Sequence, residues 1–256
     1  MTNTLQLAFP TNEKKSKLIV ESGHIYTNEQ PNLEHQVGAT LGNMLSRYLA
    51  LFGPEIEKWL FIDNYNPKFE EKPQDLDIVA YISLLPSWGF APDKIVYEAD
   101  LVNNAKEIVD HLQKHGDAGP HHNGRIILNK GKILLYDPGN GKYMCALLDA
   151  CLYMHKLEHA DGCVTILDQQ YAAQQKGTFT ILKKLGVDTT TIFPFFYTTP
   201  NSQPHSSVDS FNVFANGKNN LSFVQPAIDL LQIVAKLSGS VYLGPSLKVE
   251  VRKYGV

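Results

Sequence analysis

The sequence predicts an α/β fold with a mostly parallel sheet. Three observations predict it: short runs rich in β-branched and aromatic residues, longer segments of helical period between them, and glycines at the ends of those segments. Parallel neighbours require a crossover that returns the chain to its starting edge, so alternating strand and helix patterns are the trace of such a sheet. Candidate strands lie at 18–21, 59–62, 94–97, 125–128, 133–136, 164–167 and 192–197. Pro194 has no N–H to give to a ladder, so the last strand is expected at an edge or broken. Apolar residues recur at helical steps over 40–52, 76–85, 103–114, 144–157, 171–185 and 224–237. Gly53, Gly116 and Gly186 stand where three of these helices would stop in a left-handed cap. Two turn-rich stretches, 116–124 with Pro120 and Asp137-Pro138-Gly139-Asn140-Gly141, predict a small hairpin inserted over about 116–142. The polar 198–220 segment, rich in Ser, Asn and Pro, is long enough to be a mobile functional loop. No repeat divides the chain, so 1–256 reads as one domain.

Composition narrows the function classes. Hydrophobic residues make up 43% of the chain, enough for a full core, while 19% charged residues and a formal net charge of −3 give no overall basic field. Double-stranded DNA is therefore not expected as a partner, and tRNA would need a local patch. Cys145, Cys151 and Cys163 show no C-x-x-C spacing and sit in apolar stretches, which suits buried thiols in a reducing compartment. The N-terminus lacks the order of a secretory signal, and no window approaches the roughly 20 apolar residues that span a bilayer. Cytoplasmic residence without a membrane role is the expectation. His111 and His115 lie one helical turn apart, near His121 and His122, but no Cys or Glu-x-x-His pattern accompanies them and no metal site is expected. Gly139-Asn140-Gly141-Lys142 lacks the spacing of a P-loop and reads as a hairpin turn.

The strand Lys17-Leu18-Ile19-Val20-Glu21, then Asn32-Leu33-Glu34-His35, then Gly42-Asn43, Arg47 and Gly53, resembles the opening of a class I aminoacyl-tRNA synthetase catalytic fold of the arginyl kind. In that family the strand leads to a His-Ile-Gly-His-like tetrapeptide that opens a helix with a Gly-acidic/amide-x-x-x-Arg pattern. Later segments follow in the family's order: Tyr97-Glu98-Ala99-Asp100-Leu101; the block 142–156 with Tyr143, Asp149 and Lys156; Asp168-Gln169-Gln170-Tyr171 with Gln174-Gln175; and Leu182-Lys183-Lys184-Leu185-Gly186. Each match is weak alone, and their order is the stronger signal.

The resemblance implies a Rossmann-like (HUP-type) parallel sheet flanked by helices. It also implies a ligase that binds ATP or another adenosine nucleotide, with Mg2+, and an arginine-like amino acid activated as an adenylate. A small acceptor or a tRNA acceptor end would complete the reaction. Carried over residue by residue, it assigns the nucleotide to Gly23, Asn32, Glu34, His35 and Gly38, and catalytic support to His35 and Lys218. The amino acid would lie among Glu21, Tyr143, Asp149 and Gln170, with Asp149 or Glu21 pairing with a guanidinium.

Several positions depart from the pattern. Asn32 replaces an imidazole, and Glu34 stands where the family has glycine. A carboxylate beside a triphosphate is repulsive, by roughly 1 kcal/mol at 4 Å in water and more in a desolvated cleft. Tyr143 and Asp149 are six residues apart where the family has four. No Lys-Met-Ser-Lys-Ser-like loop is present, although Asn216-Gly217-Lys218-Asn219-Asn220 keeps one lysine. Two other readings stay open. One is an ATP-independent transferase of the cyclodipeptide synthase kind that takes its aminoacyl group from charged tRNA, with Ser22 as nucleophile and His24 nearby as base. The other is a non-catalytic relative that senses an amino acid or binds a partner protein.

Overall fold

The computed structural model describes residues 16–26, 33–51, 53–65, 75–128, 133–197, 210–213 and 248–249. The first half of the chain runs β1 (Lys17–Tyr26), α1 (Leu33–Ala50), β2 (Glu55–Asp63), α2 (Asp75–Leu84), β3 (Lys94–Tyr97) and α3 (Val102–Lys114). Four short strands follow, β4 (Ala118–Pro120), β5 (Ile126–Leu128), β6 (Ile133–Asp137) and β7 (Lys142–Tyr143), and then α4 (Cys145–Leu157), β8 (Gly162–Asp168), α5 (Ala172–Lys184) and β9 (Ile192–Tyr197). Strands β10 (Ser210–Val213) and β11 (Lys248–Val249) complete the described elements.

Five strands run parallel in the order β9-β8-β1-β2-β3, so the expected parallel sheet is present and α/β. The chain winds outward from β1 in one direction through β2 and β3, then returns to its other side for β8 and β9. This reversal makes the gap between β1 and β8 the topological switch point, where open α/β sheets bind ligands at the carboxyl ends of their strands. Side chains of β1 alternate between layers. Leu18 and Val20 pack with Leu41, Leu45 and Leu49 of α1, whereas Ile19 joins Ala105, Leu112, Leu147 and Leu148 of α3 and α4. Every residue of β8 is buried, as expected of a strand covered on both faces.

Three differences from the sequence expectations have physical causes. Helix α1 begins at Leu33 rather than near 40; Leu33, Val37 and Leu41 stand four apart, but polar Glu34, His35 and Gln36 and then Gly38 make the first turns weakly apolar. Strand β9 is unbroken: the described residues of β10 pair with Phe195 and Phe196, and on the other side Pro194 stands opposite Thr165 of the parallel β8. The expected hairpin is a four-stranded antiparallel sheet, β4-β5-β6-β7, whose first strand is an Ala-Gly-Pro triplet without any strand pattern. Within it, Asp137 accepts from the Gly139 N–H at 3.0 Å and from Arg125 at 3.2 Å, which makes 137–141 a tied turn. Asn32, Lys218 and the helix expected at 224–237 lie outside the described residues, and of 198–220 only β10 is described. Of Gly23 and Glu34 only the backbone is described. Among the described residues no helix is long and apolar enough to cross a membrane.

Gly38 fixes how closely α1 meets the sheet. A Cβ there would stand 2.8 Å from the Ser22 carbonyl oxygen and 3.1 Å from the Tyr197 hydroxyl. Backbone cannot yield as a flexible side chain would, so Gly38→Ala is expected to cost about 1–3 kcal/mol in urea unfolding. An unchanged unfolding midpoint would show that α1 does not press on β1.

Candidate functional site

Strand β1 carries one extra residue just where it reaches the switch point. Its register with β2 steps from Glu21↔Trp59 to His24↔Phe61. Simple alternation would send Glu21 and His24 to opposite faces of the sheet, and the bulge returns them to the same one. His24 Nε2 consequently lies 3.3 Å from Glu21 Oε1 and 3.9 Å from Asp149 Oδ1.

Below His24 is a buried charged cluster built from four elements. Lys156 of α4 donates to Glu21 Oε2 and, at 2.7 Å, to Thr165 Oγ1 of β8; the Lys156 and Glu21 side chains are both 0% exposed. The Lys156 ammonium also lies 4.7 Å from the Tyr153 ring centroid. Asp149 Oδ2 accepts from both Gln174 and Gln175 at 2.7 Å, and Gln175 Oε1 accepts from the Tyr153 hydroxyl at 2.9 Å. Burial alone would raise the Glu21 pKa, but Lys156 and His24 outweigh it and hold the carboxyl at about 2. Asp149 is raised, chiefly by burial. Burial works to lower His24, yet Glu21 and Asp149 prevail and raise it.

Above His24 opens a cleft lined by Ser22, His24, His35, Tyr81, Asp168 and Tyr197, among others. It has room for ≈ 10 Å³, about a single water. His35 of α1 meets Tyr81 edge-on at 5.2 Å, and burial pushes its pKa down to about 4. At neutral pH it can exchange hydrogen bonds but adds no full positive charge to that of the helix start. No Lys or Arg lines the cleft among the described residues, and Asp168 adds a carboxylate.

The residues expected from sequence separate into groups. Glu21 and Asp149 meet in the charged floor, His35 and Ser22 meet in the cleft, and Gly38 packs behind Ser22. Tyr143 sits instead on β7 with its ring 4.9 Å from Tyr136, and Cys145 occupies the position four residues before Asp149. Gln170 is exposed; its backbone N–H caps on Asp168 at 2.9 Å. His24, Lys156, Thr165, Gln174 and Gln175 complete the floor; the sequence offered His24 only as a base beside Ser22, placed Lys156, Gln174 and Gln175 only within family-like blocks, and did not single out Thr165. An ammonium inside an otherwise apolar stretch of α4 was the one available sign. A second carboxyl pair lies at the ends of β2 and β3, where burial, then the hydrogen bond with Asp63, pushes Glu98 up to about 9. A larger groove of ≈ 490 Å³ lies between β6, the start of α4, and α5; of its lining residues only Gln174 reaches the charged floor. The His111 and His115 rings lie 4.2 Å apart; among the described residues the histidine and glutamate group whose ligand atoms converge within 4.8 Å is instead His155, Glu158 and His159, where Lys94 Nζ already lies 3.0 Å from His155 Nε2.

No family model matches the sequence, and no curated protein matches it. Among solved structures the fold is similar to an arginyl-tRNA synthetase from Thermus thermophilus, with a TM-score of 0.56 at 12% identity over 98% of this chain and 62% of that one. It is similar to the arginyl-tRNA synthetase of Plasmodium falciparum, with a TM-score of 0.53 at 12% identity over 95% and 55% of the two chains. A Campylobacter jejuni chain ascribed to the same enzyme gives 0.56 at 13% identity over 73% and 55%. The chain thus spans 55% to 62% of the length of these structures, and at such identity the likeness shows the fold.

The Lys156–Glu21 pair yields a stability prediction. Lys156→Met leaves a buried carboxylate without its cation and is expected to cost about 3–5 kcal/mol, much of which Glu21→Gln added to Lys156→Met recovers. Because the Glu21 pKa is depressed to about 2, its contribution is present above pH about 4.5 and is lost as the pH falls through about 2. Equal losses in the single and double variants, measured by denaturant unfolding, would contradict a coupled pair.

Proposed function

We propose that this chain is a class I synthetase-like protein whose switch-point cleft binds the cationic side chain of an arginine-like amino acid. The observation that carries this reading is the acidic floor: Glu21 and Asp149 converge beneath the cleft, and the described walls offer no cation other than imidazole. A guanidinium presents several N–H donors in a fixed fork, which suits two carboxylates better than a single ammonium does. The ordered synthetase motifs and the arginyl-tRNA synthetase-like fold point the same way.

The adenosine-nucleotide half of the reading rests on resemblance, through Gly23, Asn32, Glu34, His35, Gly38 and Lys218. A neutral His35 and an acidic wall do not favour a triphosphate, and no ATP step is derived from them. Calorimetry with L-arginine and with its uncharged isostere L-citrulline tests the central claim. L-Arginine is expected to bind at least about tenfold more tightly, since a buried carboxylate left facing a neutral urea keeps its desolvation cost. Amino-acid-dependent exchange of pyrophosphate into ATP, run with all twenty amino acids, tests the adenylation arm. Folded protein that binds none of them, with or without ATP and Mg2+, overturns the reading.

One observation favours a second chemistry on the same site: Ser22 lines the cleft together with His24 and His35. In an acyl transfer from charged tRNA, the Ser22 hydroxyl would attack the ester carbonyl while an imidazole accepts its proton. The tRNA ribose oxygen would leave carrying a proton. Incubation with arginyl-tRNA is then expected to add one arginyl mass to the intact protein, and Ser22→Ala to abolish the adduct. An adduct that persists in Ser22→Ala would exclude this role.

A further inference from the structure

The charged floor is incompletely satisfied where it meets His24. Lys156 and Thr165 serve Glu21 Oε2, while the fully buried Glu21 Oε1 has, among the described residues, the His24 imidazole set against it at 3.3 Å. Gln174 and Gln175 both serve Asp149 Oδ2, which leaves Oδ1 turned to His24. Two carboxylate oxygens therefore face one imidazole nitrogen, at 3.3 Å and 3.9 Å. A single N–H can serve only one of them well, and 3.9 Å is beyond hydrogen-bonding distance. Buried acceptors left short of donors are costly, so a group with two or more donors is stabilised at this point relative to imidazole.

Charge counting agrees. Two carboxylates against the Lys156 ammonium leave one negative charge over, and a protonated His24 neutralises it. The cleft above holds about one water, and His24 both lines it and faces the two acids of the floor. Its ring rests on Phe61 at 4.8 Å and lies 6.4 Å from that of Tyr171. Nothing cationic stands in reserve among the described cleft walls.

We propose that His24 is a displaceable counter-ion: an entering guanidinium or amine expels its ring from Glu21 Oε1 and Asp149 Oδ1 and takes its place. This rests on the cationic-ligand reading above. Groups that bear on the titration of His24 are Glu21 on β1, Asp149 and Lys156 on α4, and the Tyr171 phenol ahead of α5, with His35 and Asp168 across the cleft. The two acids hold the His24 proton in the closed state; beside a bound cation that proton is released. Binding is thus opposed at low pH and strengthens as the pH rises towards the raised pKa of His24.

Calorimetry with L-arginine as the probe, from pH 6 to 8.5 and in two buffers of different ionisation enthalpy, tests this on the full chain. For the wild type, affinity is expected to rise with pH by up to about tenfold per unit, with up to one proton released per arginine bound. In His24→Gln, which keeps a donor but cannot titrate, affinity is expected to be flat with pH and tighter than wild type at pH 6. A wild type too tightly closed to bind, with binding recovered in His24→Gln, would equally support displacement. Arginine binding that is independent of pH and releases no proton overturns the displacement while leaving the cationic site standing. Absence of binding in both proteins at every pH, with both shown folded by thermal melting, overturns the two together.

Discussion

Lys156 carries its ammonium through the apolar layer between α4 and the sheet to meet Glu21 on β1 and Thr165 on β8, with no part of it exposed. Burying an ammonium costs several kcal/mol unless a carboxylate and further acceptors receive it, so this contact pins α4 against the two central strands at one height. The same pin determines which side of Glu21 is spent and which is left. Oε2 meets the lysine, and Oε1 faces the His24 imidazole. Asp149 lies two helical turns earlier on α4 and is divided likewise, with one oxygen held by Gln174 and Gln175 and the other turned to the same place.

The bulge in β1 converts this arrangement into a site. By inserting one residue after Glu21, it brings Ser22 into the cleft and His24 over the acids. The close fit of Gly38 against the Ser22 carbonyl then seats the start of α1, and with it His35, over the opening. Parallel-sheet topology supplies the crevice, while helix–strand contact, bulge and buried lysine supply its chemistry. Among the described residues, acidity is concentrated in the floor, and burial lowers the pKa of the His35 imidazole at the rim to about 4.

Much of the fold was legible because it is written in local patterns. Leu18-Ile19-Val20, Val164-Thr165-Ile166-Leu167 and the amphipathic α3 announce themselves through period and branching. The start of α1 and the triplet β4 did not, since the first is rich in polar residues and the second is held by its neighbour's ladder. Glu21, Asp149 and His35 were found through their order along the chain. Tyr143 was carried over by residue type although its spacing from Asp149 was wrong, and the structure puts it beside Tyr136. His24 was read only as a base beside Ser22 and Lys156 only as part of a family-like block; neither was placed on the acids, because a bulge inverts the facing of everything after it and a lysine that pairs 135 residues away leaves no local trace of its partner.

The most direct measurement is an experimental structure of the protein with L-arginine bound. The result expected is a guanidinium within hydrogen-bonding distance of both Glu21 Oε1 and Asp149 Oδ1, with the His24 ring swung out of the position it holds here and the Lys156–Glu21 pair intact. An arginine bound elsewhere while His24 still bridges the two carboxylates would contradict it.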